Sequence, residues 1–161
     1  NGPVHYPYPV IRMAEMYLNL AEILIELDAL ENTTGRLEEA KGLIDKIRVR
    51  AGIPTIDEAW KKANHPEKAN TAEGLREIVR RERQIEFYLE NQRFWDLRRW
   101  KDAGILGEKV WGMNIEGDTD ETFFVPTELQ NIRTFKQAQY LMPIPMTETN
   151  KVPHIVQNPG Y

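Results

Sequence analysis

The densest concentration of chemistry-bearing side chains runs from Arg80 to Trp100: Arg80-Arg81-Glu82-Arg83-Gln84-Ile85-Glu86-Phe87-Tyr88-Leu89-Glu90-Asn91-Gln92-Arg93-Phe94-Trp95-Asp96-Leu97-Arg98-Arg99-Trp100. Glu82 and Glu86 stand one helical turn apart, on the face that also carries Ile78, Ile85 and Leu89. Two carboxylates are the equipment of glycoside hydrolysis, one acting as acid and the other as base or nucleophile. Such a pair must flank the scissile bond from two sides, whereas these two project from one. The surrounding arginines also keep both acids ionised, which removes the general acid. The competing reading is an arginine–carboxylate network that locks helices together. Carboxylates on an apolar stripe are costly to bury unless paired, and arginine offers them a two-pronged fork. Arg83 lies near Glu86 and Glu90, and Arg93 near Glu90 and, three residues on, Asp96. Glu86 and Arg93 flank the break between two helices and are expected to clamp one to the other.

Other constellations are sparser. Tyr6, Tyr8, Trp95, Trp100, Trp111, Phe123, Phe124 and Tyr140 include candidates for a flat platform under a sugar ring. Trp95 and Trp100 fall on helical stripes and are expected in the core, as large aromatics usually are. Trp111, beside Gly112 in a loop, is the better candidate for a surface ligand contact. His5, His65 and His154 are scattered, with none of the spacings that hold a metal, so neither a metal nor a cofactor is expected. Serine–histidine–aspartate motifs and phosphate-cradling glycine loops are absent from the sequence, so the chain is expected not to be an enzyme.

The elements that must position these groups follow from periodicity. Ile11, Ala14, Leu18, Ala21 and Ile25 recur at three and four residues, with Tyr17 and Leu24 beside them, predicting a helix over 10–30. Asn32-Thr33-Thr34-Gly35 reads as a turn. Leu37, Ala40, Ile44, Ile47 and Ala51 form the stripe of a second helix over 36–51, with Lys46, Arg48 and Arg50 near its C-terminus and Gly52 as the residue that ends it. One helical possibility lies around Ile56–Ala63 in the otherwise patternless stretch 54–72. Thr71 is an N-cap for a third helix through Glu90, and a fourth covers 93–101. Helical hairpins at about 10–51 and 73–102 are thus expected, followed by an irregular lobe over 103–161. In that lobe, Thr122–Val125 reads as a short strand. Pro143, Pro145, Pro153 and Pro159 are expected to keep helix out of 140–161. The pattern is mainly α, a diverged helical repeat with a proline-rich, loop-rich C-terminal lobe.

The 161 residues are 41% hydrophobic and 29% charged with a net charge of −4 and no cysteine. This composition excludes disulfides, thiolate metal sites and a disordered chain. The acidic balance, with acids interleaved among the arginines, argues against nucleic acid as a partner. The chain opens on Asn1-Gly2-Pro3 rather than Met and is expected to be a piece of a longer protein organised as one domain over 1–161.

Three blocks of residues together resemble the C-terminal region of the SusD/RagB family of Bacteroidetes surface lipoproteins. Tyr8-Pro9-Val10-Ile11-Arg12-Met13-Ala14-Glu15-Met16-Tyr17-Leu18-Asn19-Leu20-Ala21-Glu22, with Ile44-Asp45-Lys46-Ile47-Arg48-Val49-Arg50-Ala51-Gly52, is similar to the family's first helices, with Asp45 where asparagine is common. Glu82, Arg83, Glu86, Glu90, Arg93, Asp96-Leu97 and Arg99-Trp100 resemble its central signature, with Asn91 where glycine is usual. Tyr140-Leu141-Met142-Pro143-Ile144-Pro145 and Gln157-Asn158-Pro159-Gly160-Tyr161 resemble its closing motif. The resemblance implies a tetratricopeptide-like α-superhelix and a non-catalytic protein that binds an oligosaccharide or other nutrient at the outer membrane. It implies delivery to a SusC-like TonB-dependent transporter and a surface location through a lipid anchor that this chain does not contain. It assigns Glu82, Arg83, Glu86, Glu90, Arg93, Asp96 and Trp100 to a structural signature and names no ligand-binding residue. The αα-hairpins by themselves would support the alternative, a helical-repeat protein–protein interaction module without glycan binding.

Overall fold

A computed structural model describes residues 10–129 and 133–161. Tyr6, Tyr8 and His5 lie outside the described residues. The chain forms two compact units, Asn1–Arg93 and Phe94–Tyr161.

The first unit is helical. Helix α1 (Met13–Glu31) and helix α2 (Leu37–Arg50) form the expected hairpin. Asn32 closes α1 in the left-handed conformation at φ 53°, a geometry asparagine tolerates. At the end of α2, Gly52 N–H donates to Val49 O and Ile53 N–H to Arg48 O, and Gly52 takes φ +72°. That pair of bonds is a Schellman motif, and its left-handed residue is why glycine stands there. Helix α3 (Ile56–Lys62) begins with a capping box between Thr55 and Glu58, which the isolated sequence offered only as one possibility. Helix α4 (Ala72–Glu86) starts on the predicted cap, Thr71 Oγ1 accepting from Gly74 N–H at 3.1 Å.

α1 is apolar on two sides. Ala14, Leu18, Ala21 and Ile25 are buried, together with Leu37, Ala40, Ile44 and Ile47 of α2 and Leu75, Ile78 and Val79 of α4. The opposite stripe of α1, Met16, Leu20, Ile23, Leu27 and Leu30, repeats at the same three- and four-residue spacing and is exposed. The small Ala14, Ala21 and Ala40 lie in the buried set, where they permit close helix approach. Ion pairs fix the orientations: α1 runs antiparallel to α4, matching Arg12 to Glu86 and Glu26 to Arg76, whereas α2 runs parallel to it, matching Arg48 to Glu82 and Arg50 to Glu86.

Two expectations about α4 are corrected. The helix stops at Glu86 rather than Glu90, because residues 87–91 turn, with Leu89 at φ +66° and Asn91 at φ +63°. Leu89 is therefore 84% exposed, and Ile85, although still on the helix, is 61% exposed instead of continuing the buried stripe. Helix α5 (Gln92–Arg99) follows, close to the expected span, and the division into units falls inside it. Trp95 is 56% exposed rather than in the core, its ring meeting Phe94 edge-on at 4.9 Å, while Trp100 is half-buried.

The second unit is short on regular structure. Strands β1 (Val110–Met113) and β2 (Pro126–Leu129) pair antiparallel, Trp111 opposite Glu128. The expected strand at Thr122–Val125 does not form: Thr122 and Phe123 end helix α6 (Asp120–Phe123), begun by hydrogen bonds between Thr119 and Thr122, and the chain then turns. The closing segment does contain helix, α7 (Met146–Lys151). Its prolines sit outside the helix; Pro145 is the residue before the first turn, where a fixed φ costs nothing. The closing motif is held by its own amides. Gln157 accepts from Ile144 N–H and donates to Ile144 O, both at 2.8 Å, as a neighbouring strand would. Asn158 Nδ2 donates to Met142 O at 2.6 Å and Tyr161 O–H to Leu141 O at 3.1 Å. Gly160, at φ +93°, packs so close to Ala138 that a Cβ would stand 2.7 Å from that methyl.

Candidate functional site

The carboxylates Glu82 and Glu86 are carried on the inward face and at the C-terminus of α4, where the ends of α1 and α2 converge. Arg12, the residue before α1, spreads its guanidinium over both neighbouring acids. Nε and Nη2 form a fork on Glu90 at 3.0 and 2.7 Å, Nη1 donates to Glu86 Oε1 at 2.7 Å, and Nη2 also donates to the Glu86 backbone carbonyl at 3.0 Å. Arg50, the last residue of α2, closes on the same acid at 2.6 and 2.7 Å. One turn earlier, Arg48 donates to Glu82 and, through Nε, to Pro54 O at 2.7 Å. Arg83 on α4 reaches back to Asn19 Oδ1 at 2.6 Å and lies 3.8 Å from Glu22 on α1. Phe87 is buried beneath two of these cations, the Arg12 and Arg83 guanidiniums each 5.4 Å from its ring centre.

The predicted clamp is thus present with different partners. Glu86 is held by Arg12 and Arg50, not by Arg93, and Arg93 forms no ion pair with a described residue. Glu90 belongs to Arg12, Asp96 to Arg99 at 2.9 Å, and Arg83 to α1 rather than to Glu86 or Glu90. The missed residue is Arg12, 74 residues from Glu86 in sequence. Its signal was present as the arginine beside Ile11 at the start of the first apolar stripe, but nothing local names its partner.

The electrostatics of Glu86 oppose one role. Burial by itself would push the Glu86 carboxyl up, yet hydrogen bonds from Arg12 and Arg50 outweigh it and hold the group below the usual carboxylate range. A general acid requires the opposite displacement. Glu26 is likewise lowered, chiefly by its hydrogen bond from Arg76. Asp45 is raised by burial, against the pull of the Ile56 N–H it accepts at 2.8 Å.

Beside this network lies a cleft of about 380 Å³ lined by residues of α3, of α4 and of the C-terminal end of α2 with the loop after it. Trp60, Ile53, Ile78 and Ile85 make its apolar surface, and Arg48, Glu82 and Arg81 its polar end. That is the composition of a small-molecule site, apolar walls with a few charged groups, at the lower end of the usual 300–1,000 Å³. Trp111, in the second unit, is exposed on β1, with a Lys109–Glu128 ion pair at 2.6 Å alongside its strand. Among the described residues no group of three or more His, Asp and Glu side chains is placed to hold a metal.

The comparisons with known proteins agree with one another. The family model of the SusD family matches residues 1–161. A curated relative, SusD-like protein P2 of Formosa agariphila, is 30% identical over 96% of this chain and 26% of its own length. Among solved structures, a SusD-like protein from Bacteroides fragilis superposes with a TM-score of 0.72 at 36% identity, covering 97% of this chain and 28% of that one. The protein BT4246 gives 0.77 at 32% identity, covering 98% and 25%. The chain therefore spans about a quarter of the length of these relatives.

Proposed function

The chain belongs to the SusD family, and on that premise we propose that it acts as the C-terminal part of a surface nutrient-binding protein. In this reading it captures an oligosaccharide at the bacterial outer membrane without chemical change and passes it to a SusC-like TonB-dependent transporter. A lipid anchor holds the protein at the cell surface in this reading. The single observation that carries the reading is the family match along the whole chain. The arrangement of the carboxylates supports its non-catalytic side. Glu82 and Glu86 each have a guanidinium seated on them, so neither is poised to protonate a leaving group or attack a sugar. The test is calorimetry with a panel of soluble polysaccharides, run beside an assay for released reducing ends. Binding without product is the expected result; sugar release that disappears on Glu82→Gln would overturn it.

A second reading, a helical-repeat interaction module that binds no glycan, is favoured by the exposed apolar stripe of α1. The same calorimetry separates the two, because that module gives no heat with any polysaccharide.

A further inference from the structure

We propose that the cleft between α3 and α4 is a subsite for an acidic sugar, a hexuronate residue whose ring hydroxyls engage Arg48 and Glu82 and whose carboxylate engages Arg81. The proposal rests on the glycan-binding reading above and names the class of sugar that reading leaves open.

The polar end of the cleft carries it. The Arg48 and Glu82 side chains are only 12% and 10% exposed, so both were desolvated to be placed there. Arg48 spends Nε on Pro54 O and Nη1 on Glu82 Oε1. Its Nη2 donors make no bond to a described residue, and the second oxygen of Glu82 accepts none from a described residue. A guanidinium N–H of Arg48 and a carboxylate oxygen of Glu82 in the lining of one cleft, neither bonded to a described residue, match a pair of ring hydroxyls, since each hydroxyl donates and accepts. Charge strengthens both bonds.

Arg81 sets the charge of the ligand. Arg76 and Arg83 on the same helix have acid or amide partners on α1, and Arg48 has Glu82. Arg81 is exposed at the rim, and no hydrogen bond or ion pair ties it to a described residue. The lining then carries two cations against one anion. A neutral sugar leaves Arg81 unanswered, whereas a single carboxylate neutralises the site and fits the guanidinium fork. The walls suit the remainder of the ring. Half-buried Trp60 and the aliphatic Ile53, Ile78 and Ile85 offer apolar surface to the C–H face of a pyranose. The exposure of Ile85, displaced from the core, thereby acquires a use.

The experiment uses the 161-residue chain labelled with ¹⁵N, reading the indole N–H signal of Trp60, assigned through Trp60→Phe. It is titrated with methyl β-D-glucuronide and with methyl β-D-glucoside, which share the ring and differ at C6. The expected result is a saturable shift of Trp60 with the glucuronide and an affinity about tenfold weaker for the glucoside, the size of one lost charge-assisted hydrogen bond. Arg81→Gln, a substitution at an exposed position, should bring the glucuronide down to the glucoside's affinity and leave the glucoside unchanged. Equal binding of the two sugars, or an Arg81→Gln protein that still prefers the glucuronide, overturns the proposal. An unmoved Trp60 signal in a protein that binds polysaccharide by calorimetry also overturns it, while the broader glycan-binding reading stands. Absence of binding in both measurements removes the two together.

Discussion

Replacing Arg12 by alanine removes four hydrogen bonds at once, two to Glu90, one to the Glu86 side chain and one to the Glu86 carbonyl. The size of the loss follows from burial. An exposed ion pair is worth about 0–1 kcal/mol, whereas removing one partner of a buried pair costs about 3–5 kcal/mol. Arg12 and Glu86 are 23% and 12% exposed, close to the buried limit, but Glu90 is 32% exposed and can rehydrate. Glu86 also keeps Arg50. Arg12→Ala is therefore expected to cost about 2–3 kcal/mol, which for a chain of this length lowers the melting temperature by about 5–10 °C. Glu86→Ala should cost at least as much, because it strips a partner from both arginines. The double variant should be less destabilised than the sum, since the two share one interaction. Arg93→Ala, outside the network, should stay within about 0.5 kcal/mol of the parent. Thermal and urea unfolding followed by far-ultraviolet circular dichroism measures all four. An Arg12→Ala protein that melts with the parent, or an Arg93→Ala protein that melts as early as Arg12→Ala, would refute the assignment of the clamp.

The other expectations concern acid, packing and the closing motif. Glu26, Asp28 and Glu86 all have folded-state pKa values below their ordinary ones. Their stabilisation is complete above the unfolded-state value and disappears as pH falls through the folded one. The melting temperature should thus fall progressively below about pH 5, and a flat profile down to pH 3 would contradict this. Asp45 has the opposite sign: burial makes its ionisation costly, so Asp45→Asn should raise stability at neutral pH by less than about 1 kcal/mol, with the gain vanishing in acid where both states are protonated. Leu18→Ala, in the fully buried stripe of α1, should cost about 2–5 kcal/mol, whereas Ile23→Gln on the opposite stripe should change stability by less than about 0.5 kcal/mol; equal losses would mean that the exposed stripe is packed. Gln157→Leu removes both bonds to Ile144 and should speed amide hydrogen exchange at Ile144 without altering α1, α2 or α4.

What the linear sequence determined was whatever is decided within one or two helical turns. The stripe of Ala14, Leu18, Ala21 and Ile25 announced α1, because a 3.6-residue period has no other reading over that length. Thr71 and Gly52 marked a beginning and an end through bonds to backbone groups three to five residues away. That Glu82 and Glu86 must be paired also followed locally, from acids standing on an apolar face. Tertiary structure decided the rest, and the reason is distance along the chain. Which arginine takes Glu86 depends on where α1 and α2 end in space, so Arg12, remote in sequence, displaced the adjacent Arg93. Where α4 stops was set by a turn that holds Leu89 and Asn91 in the left-handed region, a conformation that leucine's local preference argues against. That single turn moved Leu89 from the expected core to the surface, while Ile85, still within α4, is exposed on the helix itself. Both stripes of α1 are equally apolar and equally spaced in the sequence; only the placement of α2 and α4 determined which of them is buried.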